Sequence, residues 1–166
     1  MRIEDEDLLL AVLNSHPVHD GESFELLEGT AGRELVASYG GTASASELEH
    51  LRQARDGLQS MIRGSEDPGE RVSASLRHAA LVPEVTASGV RFDLQAPADE
   101  VLAARAVLAW SRVQSELPGR LRACANTECN LFLVDHSRPG TAKWCSMAAC
   151  GNRMKARNHA RRQQGR

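Results

Sequence analysis

The apolar run Leu8 to Leu13 follows the acidic stretch Glu4 to Asp7. It predicts a helix over residues 4–15, with acids at the positive end of its dipole. Asn14-Ser15-His16-Pro17 ends that helix. A shorter helix is expected over 30–39, with Leu35, Val36 and Tyr39 as its apolar side and Gly40-Gly41 as its stop. Ser44-Ala45-Ser46-Glu47 reads as a capping box that opens a longer helix to about Arg63. There Leu48, Leu51, Leu58 and Ile62 share one face, and Gly57 weakens the middle. A turn over 64–68 leads to a helix from Pro68 through Val72, Leu76 and His78. The period then shortens to two. Leu81–Thr86 and Val90–Leu94 flank Ala87-Ser88-Gly89, which predicts a β-hairpin with a three-residue loop. Val90, Phe92 and Leu94 share a face, and Pro83 marks an edge position or a break. From Ala96-Pro97 to about Leu117 the chain is apolar almost all round, the mark of a central helix. Leu117-Pro118-Gly119-Arg120 breaks it.

The expected fold class is therefore α+β. A mostly helical N-terminal domain with a β-hairpin takes residues 1–118, and a small second domain takes 119–166. The linker is short, so the two parts should stay packed or oriented. Aromatic residues make up only 4% of the chain, so the core must rest on Leu, Val and Ala.

The second domain holds the four cysteines of the protein, Cys124, Cys129, Cys145 and Cys150, in the pattern C-x4-C-x15-C-x4-C. Two equally spaced pairs on two tight turns suit one tetrahedral zinc ion. Two disulfides, or a zinc site that releases metal on oxidation, are the alternatives. The acidic N-terminus and the short first apolar run suggest neither a signal peptide nor a membrane span. A cytoplasmic protein is expected, where cysteine clusters favour metal. His136 is a candidate replacement ligand. His16, His19 and Asp20 form a weaker candidate cluster, for which a plain loop is the favoured reading.

Charge divides the chain in the same place. Residues 120–166 carry ten Lys and Arg against Glu128 and Asp135, a net +8. The whole chain is −2, so residues 1–119 carry −10. Such asymmetry points toward nucleic acid. After Cys150 the chain reads as a helix, with Ser146 as its N-cap. Arg153, Arg157 and Arg161 recur every four residues and form a basic stripe. Asn152, Lys155 and Arg162, with Lys143 and Arg138 in the preceding loop, complete the candidate nucleic-acid contacts. Met147, Cys150 and Met154 share another face, spaced to look inward at the metal. The plainer alternative is a solvated basic tail, or one that docks on the acidic N-terminal part.

Within the second domain, Leu131–Val134 is expected as a strand after the first cysteine pair, 135–140 as a turn, and Ala142-Lys143-Trp144 as the return toward Cys145. Knuckle, hairpin and basic helix together would be treble-clef-like, with Phe132 and Trp144 covering the site.

The segment Arg122 to Arg162 carries Cys124, Cys129, Phe132, Asp135, Ser137, Trp144-Cys145-Ser146 and Cys150-Gly151-Asn152-Arg153. It closely resembles the CGNR-type zinc finger, which is named for the last four of these. Leu8 to Ser15 is similar to the opening of the ABATE domain that usually precedes this finger in bacterial proteins. The resemblance implies one structural zinc on the four cysteines and DNA binding through the basic helix. It also implies a role in stress-induced transcription regulation, with the protein at the nucleoid.

An enzyme is not expected. Four thiolates leave zinc no open position for water, and no nucleophile elbow or phosphate loop is present. Three functions stay in view. The first is a DNA-binding regulator whose N-terminal domain senses a small-molecule effector or forms a homodimer. The second is an RNA-binding module, weakened by the lack of stacking aromatics among the basic residues. The third is a protein-interaction adaptor in which zinc only staples the fold.

Overall fold

A computed structural model describes residues 3–19, 21–65 and 69–164. Asp20, the turn at 66–68 and the helix start at Pro68 lie outside the described residues. Three helices form the body: α1 (Ile3–Leu13), α3 (Ala45–Ile62) and α5 (Val101–Glu116). Each packs on the other two. The run of leucines in α1 contains two adjacent i, i+4 pairs, and each pair enters a different apolar cluster. Leu8 and Val12 join Leu27, Val36, Leu48, Leu51 and Leu102. Leu9 and Leu13 join Leu58, Val107, Val113, Leu121 and Phe132. Helix α5 also feeds both clusters, which is why its sequence is apolar nearly all round.

Local chemistry explains the element boundaries. Helix α2 (Gly29–Ser38) ends in a Schellman motif: Gly40 takes a φ of 80°, Gly40 N donates to Ala37 O and Gly41 N to Val36 O. Ser44 caps α3, its Oγ accepting from Glu47 N at 3.0 Å. The capping box closes one residue further back than expected. Buried Glu47 accepts from Ala43 N and Thr42 Oγ1. Helix α4 (Gly69–Ala74) is shorter than the expected element, and residues beyond it form turns. Its one buried side chain, Val72, packs over Gly57 of α3, where a Cβ would come within 3.0 Å. A helix with so little to bury does not propagate.

Strands β1 (Val18–His19) and β2 (Glu22–Ser23) form a small hairpin where a plain loop is expected. Gly21, at a φ of 86°, supplies the turn. Strands β3 (Ala80–Thr86) and β4 (Gly89–Gln95) form the expected larger hairpin, with a two-residue rather than a three-residue loop. Thr86 pairs with Gly89, whose φ is 130°, so the glycine belongs to the strand.

The C-terminal part departs most from expectation. β6 (Phe132–Val134) pairs antiparallel with β5 (Leu121–Ala123), which lies before the first cysteine, and not with residues 142–144. Cys124 N extends this ladder by donating to Leu131 O at 2.8 Å. The first cysteine pair therefore sits at the turn of the β5–β6 hairpin. Residues 142–144 cross it instead, with Ala125 N on Lys143 O.

The same hairpin is fastened to the helices. Asn14 closes a reciprocal pair of bonds on Phe132: Phe132 N donates to Asn14 Oδ1 (2.8 Å), and Asn14 Nδ2 donates to Phe132 O (3.2 Å). Asn130 Nδ2 donates to His16 O, and Val18 N donates to Asn130 Oδ1. Arg63 donates to Asn130 O and lies 4.5 Å from the centre of the Phe132 ring. Phe132 is thus a core residue of the helical body, not the cover over the cysteines that its sequence position suggests.

Candidate metal centre

Four sulfurs converge at the turn of β5–β6. Cys124 and Cys129 come from the knuckle; Cys145 lies just before, and Cys150 within, the turn 147–151 that leads into the last helix. All four are free thiols, and their sulfurs lie within 4.8 Å of one another. Cys129 Sγ stands 3.7 Å from Cys145 Sγ, and Cys145 Sγ stands 3.7 Å from Cys150 Sγ. A disulfide requires a separation of about 2.0 Å, so the disulfide alternative fails. A regular tetrahedron with Zn–S bonds of about 2.3 Å has edges of roughly 3.8 Å, which these distances match. His136 is not among the ligands. Its Nε2 lies 2.6 Å from Glu6 Oε1, tying the finger loop to α1.

The donor set calls for a cation. Burial pushes the Cys129 thiol up to about 11, partly relieved by the Leu131 backbone. Burial also raises Cys145. Cys150 moves the other way: burial opposes it, but the Asn126 amide donates to its sulfur at 3.4 Å, neighbouring thiols add to this, and the net is a lowered pKa. Cys145 N likewise donates to Cys124 Sγ at 3.4 Å. A divalent ion reverses the penalty on the remaining thiols and holds them as thiolates.

Buried Asn126 is a site residue that the sequence reading missed. Its Oδ1 accepts from Glu128 N while its amide faces Cys150, so it shapes the knuckle and supports a ligand at once. An Asx residue inside C-x4-C was the available signal.

Ser146 caps the following turn as expected, its Oγ accepting from Ala149 N at 3.0 Å. That turn, Met147–Gly151, is a π-turn: Gly151 N reaches back five residues to Ser146 O. A Cβ on Gly151 would lie 2.6 Å from Met147 Sδ and 3.3 Å from Trp144 Cδ1. The glycine therefore permits both side chains to cross it. Met147 is half-exposed and does not look inward at the sulfurs as expected, and Met154 is only partly buried. Of that trio Cys150 alone is buried.

A buried carboxylate organises the rest of the finger. Asp135 accepts from Ser137 Oγ (2.6 Å), Ser137 N, Ala142 N and Arg122 Nη2 (2.7 Å). The Ser137 hydroxyl first, then these amides and the Arg122 guanidinium, hold its carboxyl at about 2, against the burial that opposes them. Stability from this clasp is present above the ordinary value of 3.8 and is lost as pH falls through about 2. Acid denaturation followed by Trp fluorescence should show the finger loosened by the end of that window, with protonation of the four sulfurs contributing alongside Asp135. Asp135→Asn should flatten the loss.

Residues 120–163 match the CGNR zinc finger. The four sulfurs of this finger are positioned to hold one zinc ion. A comparison of the chain with curated proteins returns no match.

The finger ends in α6 (Asn152–Gln164). Asn152, Arg153, Lys155, Arg157, Arg161 and Arg162 are all exposed on it. Arg138 and Lys143 are exposed on the 135–144 segment rather than on the helix. Arg157 forks onto Glu128 of the knuckle at 2.7 and 2.8 Å. Among the described helices and strands, α6 packs substantially on the π-turn, and the Arg157–Glu128 pair ties it to the knuckle. No described helix is long and apolar enough to cross a membrane.

Proposed function

We propose that α6 is a DNA-contacting rod anchored at its base by structural zinc, and that the protein is a transcription regulator. One observation carries this reading: α6 exposes Arg153, Lys155, Arg157, Arg161 and Arg162 to solvent and buries almost none of its surface. A helix with no apolar face gains little from packing on its own chain. Its cations suit phosphates, its arginines suit guanine edges, and Asn152 suits adenine. The exposed Arg157–Glu128 pair is weak by nature and gives way to a phosphate. The net −10 of residues 1–119 repels a duplex, so the field of the protein turns the finger toward it.

Knuckle and helix together make the finger treble-clef-like, and the four sulfurs leave zinc no position for water. In this reading the protein is not an enzyme. The helical body is ABATE-like, takes part in stress regulation and carries the sensing or dimerising role.

Binding to short duplexes should fall steeply with salt. Neutralising five to eight phosphates gives a slope of about −5 to −7 in log affinity against log salt. Arg153→Ala with Arg157→Ala should lower that slope by about 2 while zinc stays at one per chain. Fluorescence anisotropy across a salt series checks both. Tighter binding to single-stranded RNA would assign the helix to RNA. A flat salt response would leave the finger an adaptor.

A further inference from the structure

The β3–β4 register aligns Leu81 with Leu94, Pro83 with Phe92 and Val85 with Val90. Partners directly opposite one another share a face. One face of the hairpin is therefore six apolar residues with no charge among them. The other face takes Glu84, Arg91 and Asp93, and the Arg91–Glu84 ion pair lies there. Both faces of the hairpin are largely exposed, the apolar one as much as the charged one. Val85 is 85% exposed, Phe92 65%, Val90 59% and Leu81 50%. These four residues leave roughly 500 Å² of surface in water, most of it apolar, toward the upper end of what a monomer normally shows in one patch.

The base of this face continues into a groove of about 510 Å³. Leu81, Phe92 and Leu94 wall it on one side, with Leu108 of α5 and Tyr39 opposite. Asp5, bonded to Arg105 and Arg112 at 3.3 Å each, places both signs of charge beside it.

We propose that this face and groove form the contact between two copies of this chain. A two-fold contact sets a patch against itself, so an uncharged face needs no complementary partner, and a rim with both signs can answer its own image. Two such faces bury roughly 1,000 Å² in total before the rim is added, the size at which a stable interface becomes feasible. Charge disfavours other occupants. The net −10 of residues 1–119 repels anionic lipid and nucleic acid; a second copy carries that charge too, but its +8 finger brings it to −2 overall and offsets most of the repulsion. Pro83 has no N–H to offer a further strand, which disfavours sheet extension on the β3 edge.

Sedimentation equilibrium of the full-length, zinc-loaded chain without nucleic acid tests this independently of what α6 binds. The wild-type protein should be a dimer at micromolar concentration. Val85→Glu with Phe92→Glu should weaken it by roughly 100-fold or more, with circular dichroism and zinc content unchanged. Val85→Lys alone, at the most exposed position, should weaken it in the same direction and guards against misfolding of the double variant. A wild-type monomer throughout the range would overturn the proposal and assign the face to a different partner. A dimer unmoved by either substitution would overturn it as well.

Discussion

Cys124→Ser protein should lose its zinc, and with it on the order of 10 kcal/mol of folding free energy in residues 120–163. The β5–β6 hairpin is anchored on the helical body and by the Asp135 clasp, but the knuckle, the π-turn and α6 have little else to hold them. The finger's strands are three residues long, and α6 buries almost nothing. The remaining sulfurs, Cys129, Cys145 and Cys150, stay crowded and partly or fully buried, and three thiolates hold zinc far less well than four. The loss should not stop at the finger. Leu121 and Phe132 complete the apolar cluster of α1 and α5, so an unfolded finger opens that cluster to water. Metal analysis should find less than one zinc per chain, and thermal melting should show the helical body surviving at a lowered Tm. Full zinc content in Cys124→Ser would contradict the four-sulfur assignment.

Phe132→Ala should cost about 3–5 kcal/mol in chemical denaturation, the usual range for removing a fully buried ring. Phe132 is 2% exposed and belongs to the apolar cluster built from α1, α3 and α5. The substitution also leaves Arg63 over a cavity where it now lies over the ring. Zinc should still bind at one per chain, because the sulfurs are carried by the knuckle and the π-turn rather than by the ring. A cost below about 1 kcal/mol would mean that the ring does not seat in the core.

Chemistry and periodicity were legible in the sequence to different degrees. The cysteine spacing announced the cluster, because thiolates in pairs have few other uses in such a pattern. The alternation at 81–94 announced the larger hairpin, and the nearly all-round apolar run at 101–110 announced the central helix. Pairing partners were not legible. Leu121-Arg122-Ala123 is too short to show a period, so nothing local says that it, and not 142–144, lies beside Phe132-Leu133-Val134. The direction of Phe132 follows from that pairing and from the Asn14 side chain 118 residues away. The π-turn at 147–151 was equally hidden, because it depends on how Trp144 and Met147 pass over Gly151. Asn126 could have been picked out as a turn former, but its bond to Cys150 needs the folded knuckle.

The central claim is that one zinc ion bound by four sulfurs sets the base of the basic helix. X-ray absorption at the zinc edge, on the purified full-length protein, addresses it directly. The expected spectrum shows one zinc per chain with four sulfur neighbours at about 2.3 Å. A protein without zinc, or a zinc shell containing nitrogen or oxygen, would contradict it.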